Sequence, residues 1–298
     1  MLDLTRLLML RAVALHGSIT AAARELSYSH SAISQQLSLL ERETGAVLLE
    51  RVGRTSRLTR VGHALVQNTE AVLAALEHAE AELAAAREQP RGVITVAVYT
   101  SIGRIVMPTA LQRLAEEHPG LDVRLRRADP EEAVLRLVSR QVDAVVTDTF
   151  PGTQLSPTGA IEASVIGRDP VRGYLPERFA HASFQDMRGM PWVMERREAP
   201  STAWALRVCR ELGLEPLVAH ESSDLLFHLR LVEAGLAAAF LPDLVVREAG
   251  SALEPSPLLP ANEERDILFL VRPGAGAHPW FGVVRDAIAA ALADRQQR

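Results

Sequence analysis

The segment from Ser29 to Glu41 constrains the fold of this 298-residue chain most, because it predicts a helix with two unlike faces. One face carries residues at helical spacing that a small helical domain would bury, namely Ile33, Leu37, Leu40 and Thr44. The other face carries short or polar side chains, namely Ser31, Ser34, Gln35, Ser38 and Arg42. Alone, this pattern also fits an ordinary amphipathic surface helix. The neighbouring segments are therefore needed to decide whether this helix belongs to a larger motif.

Two short helices are predicted before this segment. Leu7, Leu10 and Ala14 indicate a first helix that ends near Gly17. Ser18 is a typical N-cap for a second, Ala-rich helix, whose apolar positions are Ile19, Ala22, Ala23 and Leu26. Only the corner at 27–28 separates that helix from the polar-faced one. Such an arrangement is typical of a helix-turn-helix.

The polar face has the chemistry for reading DNA. Short hydroxyls allow a helix to approach the floor of the major groove, Gln can pair with adenine through two hydrogen bonds, and Arg can bind phosphate or guanine. We expect contacts with DNA from Ser29, His30, Ser31, Ser34, Gln35, Ser38 and Arg42.

Two short strands, at 47–49 and 57–58, are predicted to flank a small, basic loop at 51–56. A wing of this kind contacts phosphates or the adjacent minor groove, so Arg51 and Arg54 are further candidates for DNA contact. A solvated hairpin tip is an equally good interpretation of either arginine alone.

Thr59 is predicted to cap a long helix that runs to about Arg87. Its apolar positions recur in heptads, with Leu65, Val72, Ala79 and Ala86 in one register and Thr69, Leu76 and Leu83 in the other. This seam predicts a homodimer through the linker helix, although a helix packed on its own domain is the alternative. Residues 90–92, Pro-Arg-Gly, end the helix and form a hinge.

These motifs together resemble the LysR-type transcriptional regulators. The resemblance is carried, in order, by Gly17-Ser18, Ala22-Ala23, Leu26, Ser29, Ala32-Ile33-Ser34, Leu37, Leu40-Glu41, Gly45, Leu48, Arg51, Leu58-Thr59 and Gly62. His30, Ser31 and Leu49 depart from residues common in that family, which are Gln, Pro and Phe. The first two departures concern base preference, and the third concerns the core.

Strands and helices alternate after residue 92, which indicates parallel βαβ units. The weaker resemblance here runs through Gly92-Val93-Ile94, Pro108, Pro119-Gly120 and Asp143-Ala144. It implies a two-lobed, periplasmic-binding-protein-like effector domain, so the chain is α/β overall. The expected divisions are a winged helix-turn-helix at 1–58, a linker helix and hinge at 59–91, and an effector domain at 92–298. Lobe one would comprise 92–164 and 268–298, and lobe two 165–267, with crossing strands near 165–168 and 267–271.

Three pairs of hydroxyl residues begin predicted helices in this domain, and free N–H groups at such positions favour anions. Plain N-capping is the alternative for each pair. The pairs are Thr100-Ser101, Ser201-Thr202 and Ser222-Ser223. In the family the first pair commonly faces the effector, so Thr100 and Ser101 are the leading candidates for effector binding. Thr202 and Ser222 are the candidates from the other two pairs. Arginines at 126, 127, 196 and 197 could hold a carboxylate effector, although ordinary surface positions are the favoured interpretation for them.

Composition narrows the classes of function. All 32 basic residues are Arg, so lysine-dependent Schiff-base and P-loop chemistry is excluded, and the single cysteine excludes an intrachain disulfide. Residues 1–60 carry eight Arg and five acidic residues, so a basic end precedes an acidic remainder, which suits contact with a polyanion. Neither a membrane span nor a leader is predicted, and we expect a cytoplasmic protein.

No catalytic or cofactor motif was found, and the cluster of His220, Glu221, Asp224 and His228 does not predict a metal site. We therefore expect a regulator that binds double-stranded DNA at an interrupted palindrome and responds to a small-molecule effector. The resemblance implies a homotetramer of two dimers, and RNA polymerase is a further candidate partner. The rival is an enzyme or binding protein of α/β fold whose N-terminal helices serve only assembly.

Overall fold

The computed structural model describes residues 2–52, 55–86, 90–153, 161–179, 187 and 189–297. Three parts follow one another along the chain: a small helical unit with a hairpin, one long helix, and a larger domain of sheets and helices.

Capping side chains define the helices of the N-terminal unit, α1 (Leu4–His16), α2 (Ile19–Glu25) and α3 (His30–Thr44). The side chains of Asp3, Ser18 and Ser29 each accept a hydrogen bond from the first turn that follows. The predicted cap at Ser18 and the predicted end near residue 17 are confirmed. The three helices share one core, which includes Leu10, Val13, Ala22, Ile33, Leu37, Leu40 and Leu48. Each large apolar side chain buried there contributes about 1.5–3 kcal/mol to stability.

The wing is an antiparallel pair, β1 (Leu49–Val52) and β2 (Thr55–Leu58). The first strand was predicted too early, because the side chain of Val47 is exposed and the strand begins only at residue 49. The wing packs tightly on the next helix at Gly62, where an added Cβ would lie 2.3 Å from the Leu48 carbonyl oxygen. Only glycine permits this close approach.

Helix α4 (Arg60–Ala85) begins at Thr59, as predicted, and presents two different faces. Thr69, Leu73, Glu77 and Ala81 are buried against the rest of the same chain. On the predicted seam, Val72, Leu76 and Leu83 are 47%, 43% and 73% exposed. Thr69 departs from the predicted seam, because it is buried and its hydroxyl donates to the Leu65 carbonyl oxygen. One face of this helix is therefore packed on its own chain, as the alternative interpretation expects, and the other face leaves apolar side chains exposed, so the homodimer stays a prediction.

The larger domain is built around a mixed six-stranded sheet in the order β4-β3-β5-β10-β6-β9. The strands are β3 (Gly92–Val98), β4 (Leu121–Arg127), β5 (Ala144–Thr149), β6 (Glu162–Tyr174), β9 (Ala239–Pro242) and β10 (Glu263–Val271). Strand β3 is parallel to β4 and β5, whereas β10 runs antiparallel to β5 and β6. Strand β10 pairs along its whole length with β6, and these two strands connect the two lobes. Sequence alternation therefore predicted the parallel part but not the antiparallel crossing.

Helices cover both lobes. In lobe one they are α5 (Thr100–Ile105), α6 (Met107–Glu117), α7 (Pro130–Val138) and α11 (Pro279–Gln297). In lobe two, α8 (Pro200–Glu211) and α9 (Leu225–Glu233) pack beside the parallel pair β7 (Pro191–Met194) and β8 (Leu217–Glu221). Helix α10 (Asp243–Glu248) packs on β6, β9 and α5. Two short 3-10 turns, Glu177–Phe179 and Ala275–Ala277, complete the elements of the described residues. Strand β7 and helix α10 were missed, because four and six residues are too short for a periodic signal.

None of the helices within the described ranges is long and apolar enough to cross a membrane.

Candidate functional site

Apart from the hydroxyls at its N-terminal end, the polar face of α3 has no side-chain partners among the described residues. Ile33, Leu37 and Leu40 are buried on one side of the helix, and the opposite side is open. The exposed side chains there are Ser29, His30, Ser31, Gln35, Ser38 and Arg42, with Ser34 half-buried. Among these, the only side-chain pairing between described residues joins the hydroxyls of Ser29 and Ser31 at 3.0 Å. The face can therefore bind another molecule without first breaking bonds of its own.

Side chains behind this face fix its orientation. Arg6 of α1 donates to Gln36 Oε1 at 3.0 Å and forms an ion pair with Glu43. Glu41 Oε1 accepts from the backbone N–H groups of Leu48 and Leu49 at 2.8 and 3.1 Å. Through these bonds the first helix and the start of the wing move with α3 as one rigid body.

The wing places Arg51 in β1, opposite Ser56 of β2, where the arginine side chain is exposed. Arg54, the other predicted contact, lies outside the described residues. The predicted helix and the described part of the wing thus lie on one small unit.

The second site is a cleft between the two lobes, with a volume of about 240 Å³. All four predicted effector-binding residues line it, and so do the other hydroxyl residues of the three pairs. They come from separate elements: the start of α5, the start of α8, and the turn before α9. The lining hydroxyl residues are Thr100, Ser101, Ser201, Thr202, Ser222 and Ser223.

These hydroxyls differ in how far they are already satisfied. Thr202 Oγ1 donates to the Glu195 carbonyl oxygen at 2.9 Å, and Ser222 Oγ accepts from the Asp224 N–H at 3.0 Å. By contrast, Ser101 is 4% exposed and its hydroxyl has no hydrogen-bond partner among the described residues. A buried hydroxyl without a hydrogen-bond partner lowers the stability of the fold, so the Ser101 hydroxyl is a good candidate for contact with a ligand.

A buried ionic cluster forms the floor of the cleft. Arg265 of β10 donates to Asp169 Oδ2 at 2.7 Å and to Asp148 Oδ2 at 2.9 Å. Its guanidinium lies 5.6 Å from the ring centre of Tyr99. Burial raises the pKa of the Asp148 and Asp169 carboxyls, whereas the arginine charge opposes that rise.

Glu195 lies in the same cleft, at the end of β7. Its carboxylate accepts a hydrogen bond from the Ser201 hydroxyl. Burial raises its pKa to about 7, and the Ser201 hydrogen bond only partly offsets that rise.

Polar side chains bridge the lobes at the mouth of the cleft. Arg127 of β4 donates to Ser223 Oγ at 3.3 Å and to Asp129 Oδ1 at 2.7 Å. Arg196 Nη2 lies 2.8 Å from Glu131 Oε2 on α7. Two arginines that sequence could assign only to the surface or to an effector thus contact acidic side chains.

A third polar cluster joins the N-terminal half of the chain to the effector domain. Glu77 of α4 accepts from Arg272 Nε at 2.6 Å and pairs with Arg140 Nη1 at 2.8 Å. Arg11 of α1 donates to Glu70 Oε1 at 2.6 Å and to the Val138 carbonyl oxygen at 2.7 Å. The linker helix is therefore held on the effector domain of its own chain by buried ionic contacts. We call this cluster the junction.

The remaining sequence candidates have structural roles. His228 is buried and its Nε2 lies 2.7 Å from the Ser222 carbonyl oxygen. Cys209 is buried as predicted, and desolvation raises its thiol pKa to about 12. No group of three metal-ligating side chains occurs among the described residues.

Sequence reasoning missed Glu195, Arg265 and Glu77. Of the three, only Arg265 could have been identified from the sequence. It lies just before the apolar run 267–271, which predicts a buried strand, and a buried arginine requires carboxylate partners. The other two carry no such local signal, since nothing in a sequence distinguishes a buried glutamate from a solvated one.

The winged helix, the linker helix and the two-lobed domain with a lined cleft together define a ligand-sensing transcription regulator. Residues 4–63 match the profile "Bacterial regulatory helix-turn-helix protein, lysR family", and residues 87–293 match "LysR substrate binding domain". The chain belongs to the LysR family. It is a DNA-binding transcriptional regulator with an effector-binding domain, and not an enzyme.

Individual relatives agree with this assignment. The "Transcriptional dual regulator GltC" of Bacillus subtilis is 26% identical over 220 residues, which cover 73% of each chain. Full-length OxyR from Pseudomonas aeruginosa has the same fold, with a TM-score of 0.60 at 19% identity over 97% of this chain and 95% of that one. CbnR, solved in complex with its target DNA, gives a TM-score of 0.50 at 22% identity over 96% of this chain and 100% of that one.

Proposed function

We propose that a small-molecule effector binds in the cleft between the lobes and thereby changes how the protein contacts DNA. The observation that supports this best is the convergence of six hydroxyl residues from three separate segments on one cavity. Plain N-capping would not require those helix starts to meet. The contacts proposed for the effector are Thr100, Ser101, Thr202 and Ser222.

For DNA, we propose that α3 enters the major groove and that the wing contacts the backbone. The proposed contacts are Ser29, His30, Ser31, Ser34, Gln35, Ser38, Arg42, Arg51 and Arg54, of which Arg54 lies outside the described residues. The domain divisions at 58–59 and 91–92 and the lobe divisions at 164–165 and 267–268 remain part of the same proposal.

The exposed apolar seam of α4 supports dimerisation through the linker helix. Val72, Leu76 and Leu83 recur at heptad spacing on a face that the chain itself leaves open. Two recognition helices in a dimer require half-sites about one helical turn (~34 Å) or a multiple apart, so the operator is an interrupted palindrome. A homotetramer of two such dimers, contact with RNA polymerase and a cytoplasmic location stay predictions.

Two rigid elements lead from the cleft to the junction. Helix α7 begins beside the cleft at Asp129-Pro130, and the carbonyl groups of its last turn accept hydrogen bonds from Arg272 and Arg11. Its nine residues span about 13 Å. Strand β10 carries Arg265 in the cleft, and Arg272 follows its end at the junction. We propose that lobe closure shifts these elements and so changes how the linker helix is held.

Ligand screening on the full chain tests the effector proposal. A ligand that binds only the folded state raises the melting temperature, so hits from a metabolite panel identify effector candidates. Thr100→Val and Ser101→Ala should each remove most of that rise, whereas Ser164→Ala, which lies outside the cleft, should preserve it. An undiminished rise in both cleft variants would exclude this pair from the site.

The carboxylate effector expected from the sequence remains open to the same screen. Its candidate partners Arg127 and Arg196 are already paired with Asp129 and Glu131, so a carboxylate would have to displace an internal partner.

A further inference from the structure

We propose that the effector carries a protonated amine, bound by the carboxylate of Glu195, and an apolar body that lies against the aromatic side chains of the cleft. This inference rests on the proposed function, because it assigns a chemical class to the ligand of that same cleft.

The charge balance of the cleft favours a cation. Its charged lining residues are Asp129, Asp148, Glu195, Glu221, Arg196 and Arg265. Neither arginine is available, because Arg265 is shared between Asp148 and Asp169, and Arg196 pairs with Glu131. Asp129 is paired with Arg127, but Glu195 and Glu221 have no ion-pair partner among the described residues, so negative charge is left over and an anionic ligand would be repelled.

Glu195 is the carboxylate that most needs a partner. Within the described part of the chain, no Arg or His comes within ion-pair distance of its side chain, and the Ser201 hydroxyl is its only side-chain donor. Burial, reinforced by Asp148 and Asp129, disfavours its ionised form and raises its pKa to about 7. An ammonium group would replace the lost solvation with a charge-assisted hydrogen bond.

Two unsatisfied hydroxyls line the same cavity. Ser101 Oγ and Tyr99 Oη are both buried, and neither has a hydrogen-bond partner among the described residues. The carboxylates of Asp148, Asp169 and Glu195 add to the desolvation that raises the pKa of Tyr99, so these groups share one local field. An ammonium group has three N–H donors and needs several acceptors, which a carboxylate and two hydroxyls can supply.

The remaining wall of the cleft is aromatic rather than charged, and it indicates that the body of the ligand is apolar. Phe150, Trp204 and Phe240 line the cleft, and the Trp204 ring lies 5.3 Å from Phe150 and 5.0 Å from Phe240 between ring centres. Such a wall binds an apolar or aromatic body and also attracts a cation. A bare metal ion would leave it unused, and within the described ranges no metal-ligating group of three side chains exists.

The test uses three probes of one shape and different charge on the full-length protein. These are 2-phenylethylamine, the neutral 2-phenylethanol and the anionic phenylacetate, titrated at pH 8 by calorimetry and by tryptophan fluorescence. We expect the amine to bind at least about tenfold more tightly than the alcohol, and phenylacetate to bind most weakly. Glu195→Gln should weaken amine binding by about 10- to 100-fold and leave the alcohol within about threefold, because only the charge is lost.

Glu215→Gln is the matched control, an exposed carboxylate of the same lobe, and should bind all three probes as the wild type does. Tighter binding of phenylacetate, no binding of the amine, or amine binding that is unchanged in Glu195→Gln would each overturn the proposal. Footprinting of the wild-type protein on the promoter beside its gene separates the two hypotheses. An intact footprint with no amine binding refutes only the amine class, whereas the absence of a footprint would contradict the DNA contacts proposed for α3.

Discussion

The polar face of α3 and the cleft between the lobes both carry polar side chains, but those of α3 are exposed and those of the cleft are largely buried. On α3, Ser31, Gln35 and Ser38 are exposed, and their orientation comes from the apolar residues behind them. In the cleft, Ser101, Glu195 and Arg265 are buried or half-buried, and the two charged side chains are held by Ser201 and by Asp148 and Asp169 respectively. A surface site can therefore change its specificity at little cost in stability, whereas a change in the cleft affects ligand binding and folding together.

The junction determines whether these two sites act independently. It brings Arg11 of the DNA-binding unit and Glu77 of the linker helix against the end of α7, whose other end lies at the cleft. If the junction transmits a signal, breaking it should separate the properties of the two sites.

Glu77→Ala should have the largest effect. It removes the carboxylate that Arg272 and Arg140 share, which leaves Arg272 with only the longer ion pair to Asp143, at 3.7 Å, among the described residues. Removal of one partner of a buried ion pair costs about 3–5 kcal/mol. We expect a lower melting temperature or a larger radius of gyration by small-angle scattering, because the linker helix separates from the effector domain. Glu82→Ala, on the exposed face of α4, is the control. Wild-type compactness and stability in Glu77→Ala would show that the junction does not hold the linker helix on the effector domain.

Glu195→Gln should stabilise the protein at pH 8 by about 2 kcal/mol and much less at pH 5. The folded-state pKa of about 7 lies above the ordinary value of 4.5, so wild-type stability falls as pH rises from 4.5 towards 7. Glutamine does not titrate and escapes that loss. The neighbouring charged groups Asp148, Asp129 and Arg265 are the same in wild type and in Glu195→Gln, so the pH dependence of the difference reports on Glu195 itself.

Urea unfolding at the two pH values, followed by tryptophan fluorescence, measures the difference. Glu215→Gln should show no such pH dependence. An equal difference at both pH values would mean that Glu195 is not held in a desolvated state.

Gln35→Ala should reduce discrimination between operator and mutated operator by about 1–3 kcal/mol, because one bidentate contact with a base is lost. Its stability should stay within about 0.5 kcal/mol of wild type, since the side chain is exposed and has no partner among the described residues. Competition binding on matched duplexes and thermal unfolding test both halves. Equal weakening on every sequence would make Gln35 a backbone contact instead.

Arg51→Ala should have the smallest effect. It removes one phosphate contact, so the slope of log K against log salt should fall by about 1 without a change of sequence preference. Arg285→Ala, on the distant helix α11, should leave the slope unaltered. A change of base preference in Arg51→Ala would place the wing in a groove rather than beside phosphates.

Sequence reasoning succeeded where a single element determines the outcome. The caps Ser18 and Thr59, the buried face of α3 and the start of α4 all follow from local periodicity and capping. The order of lobe-one elements also follows from sequence, because alternating strands and helices favour parallel pairing.

The family resemblance implied crossing strands near 165–168 and 267–271, which pair in the structure. Residue patterns did not predict the side-chain contacts between distant segments, such as that of Arg265 with Asp169 at a separation of 96. The aromatic wall combines Phe150, Trp204 and Phe240 from three elements. No local pattern encodes such pairings, since their stability depends on burial that exists only after folding.

The most direct test of this regulator is quantitative footprinting on the promoter beside its own gene, with wild type and Gln35→Ala at two salt concentrations. We expect wild type to protect two half-sites of an interrupted palindrome and to bind more weakly as salt rises. The Gln35→Ala variant should lose about 1–3 kcal/mol of discrimination between operator and mutated operator. Protection that ignores sequence, or no protection at low salt, would contradict the assignment of α3 as the helix that reads DNA.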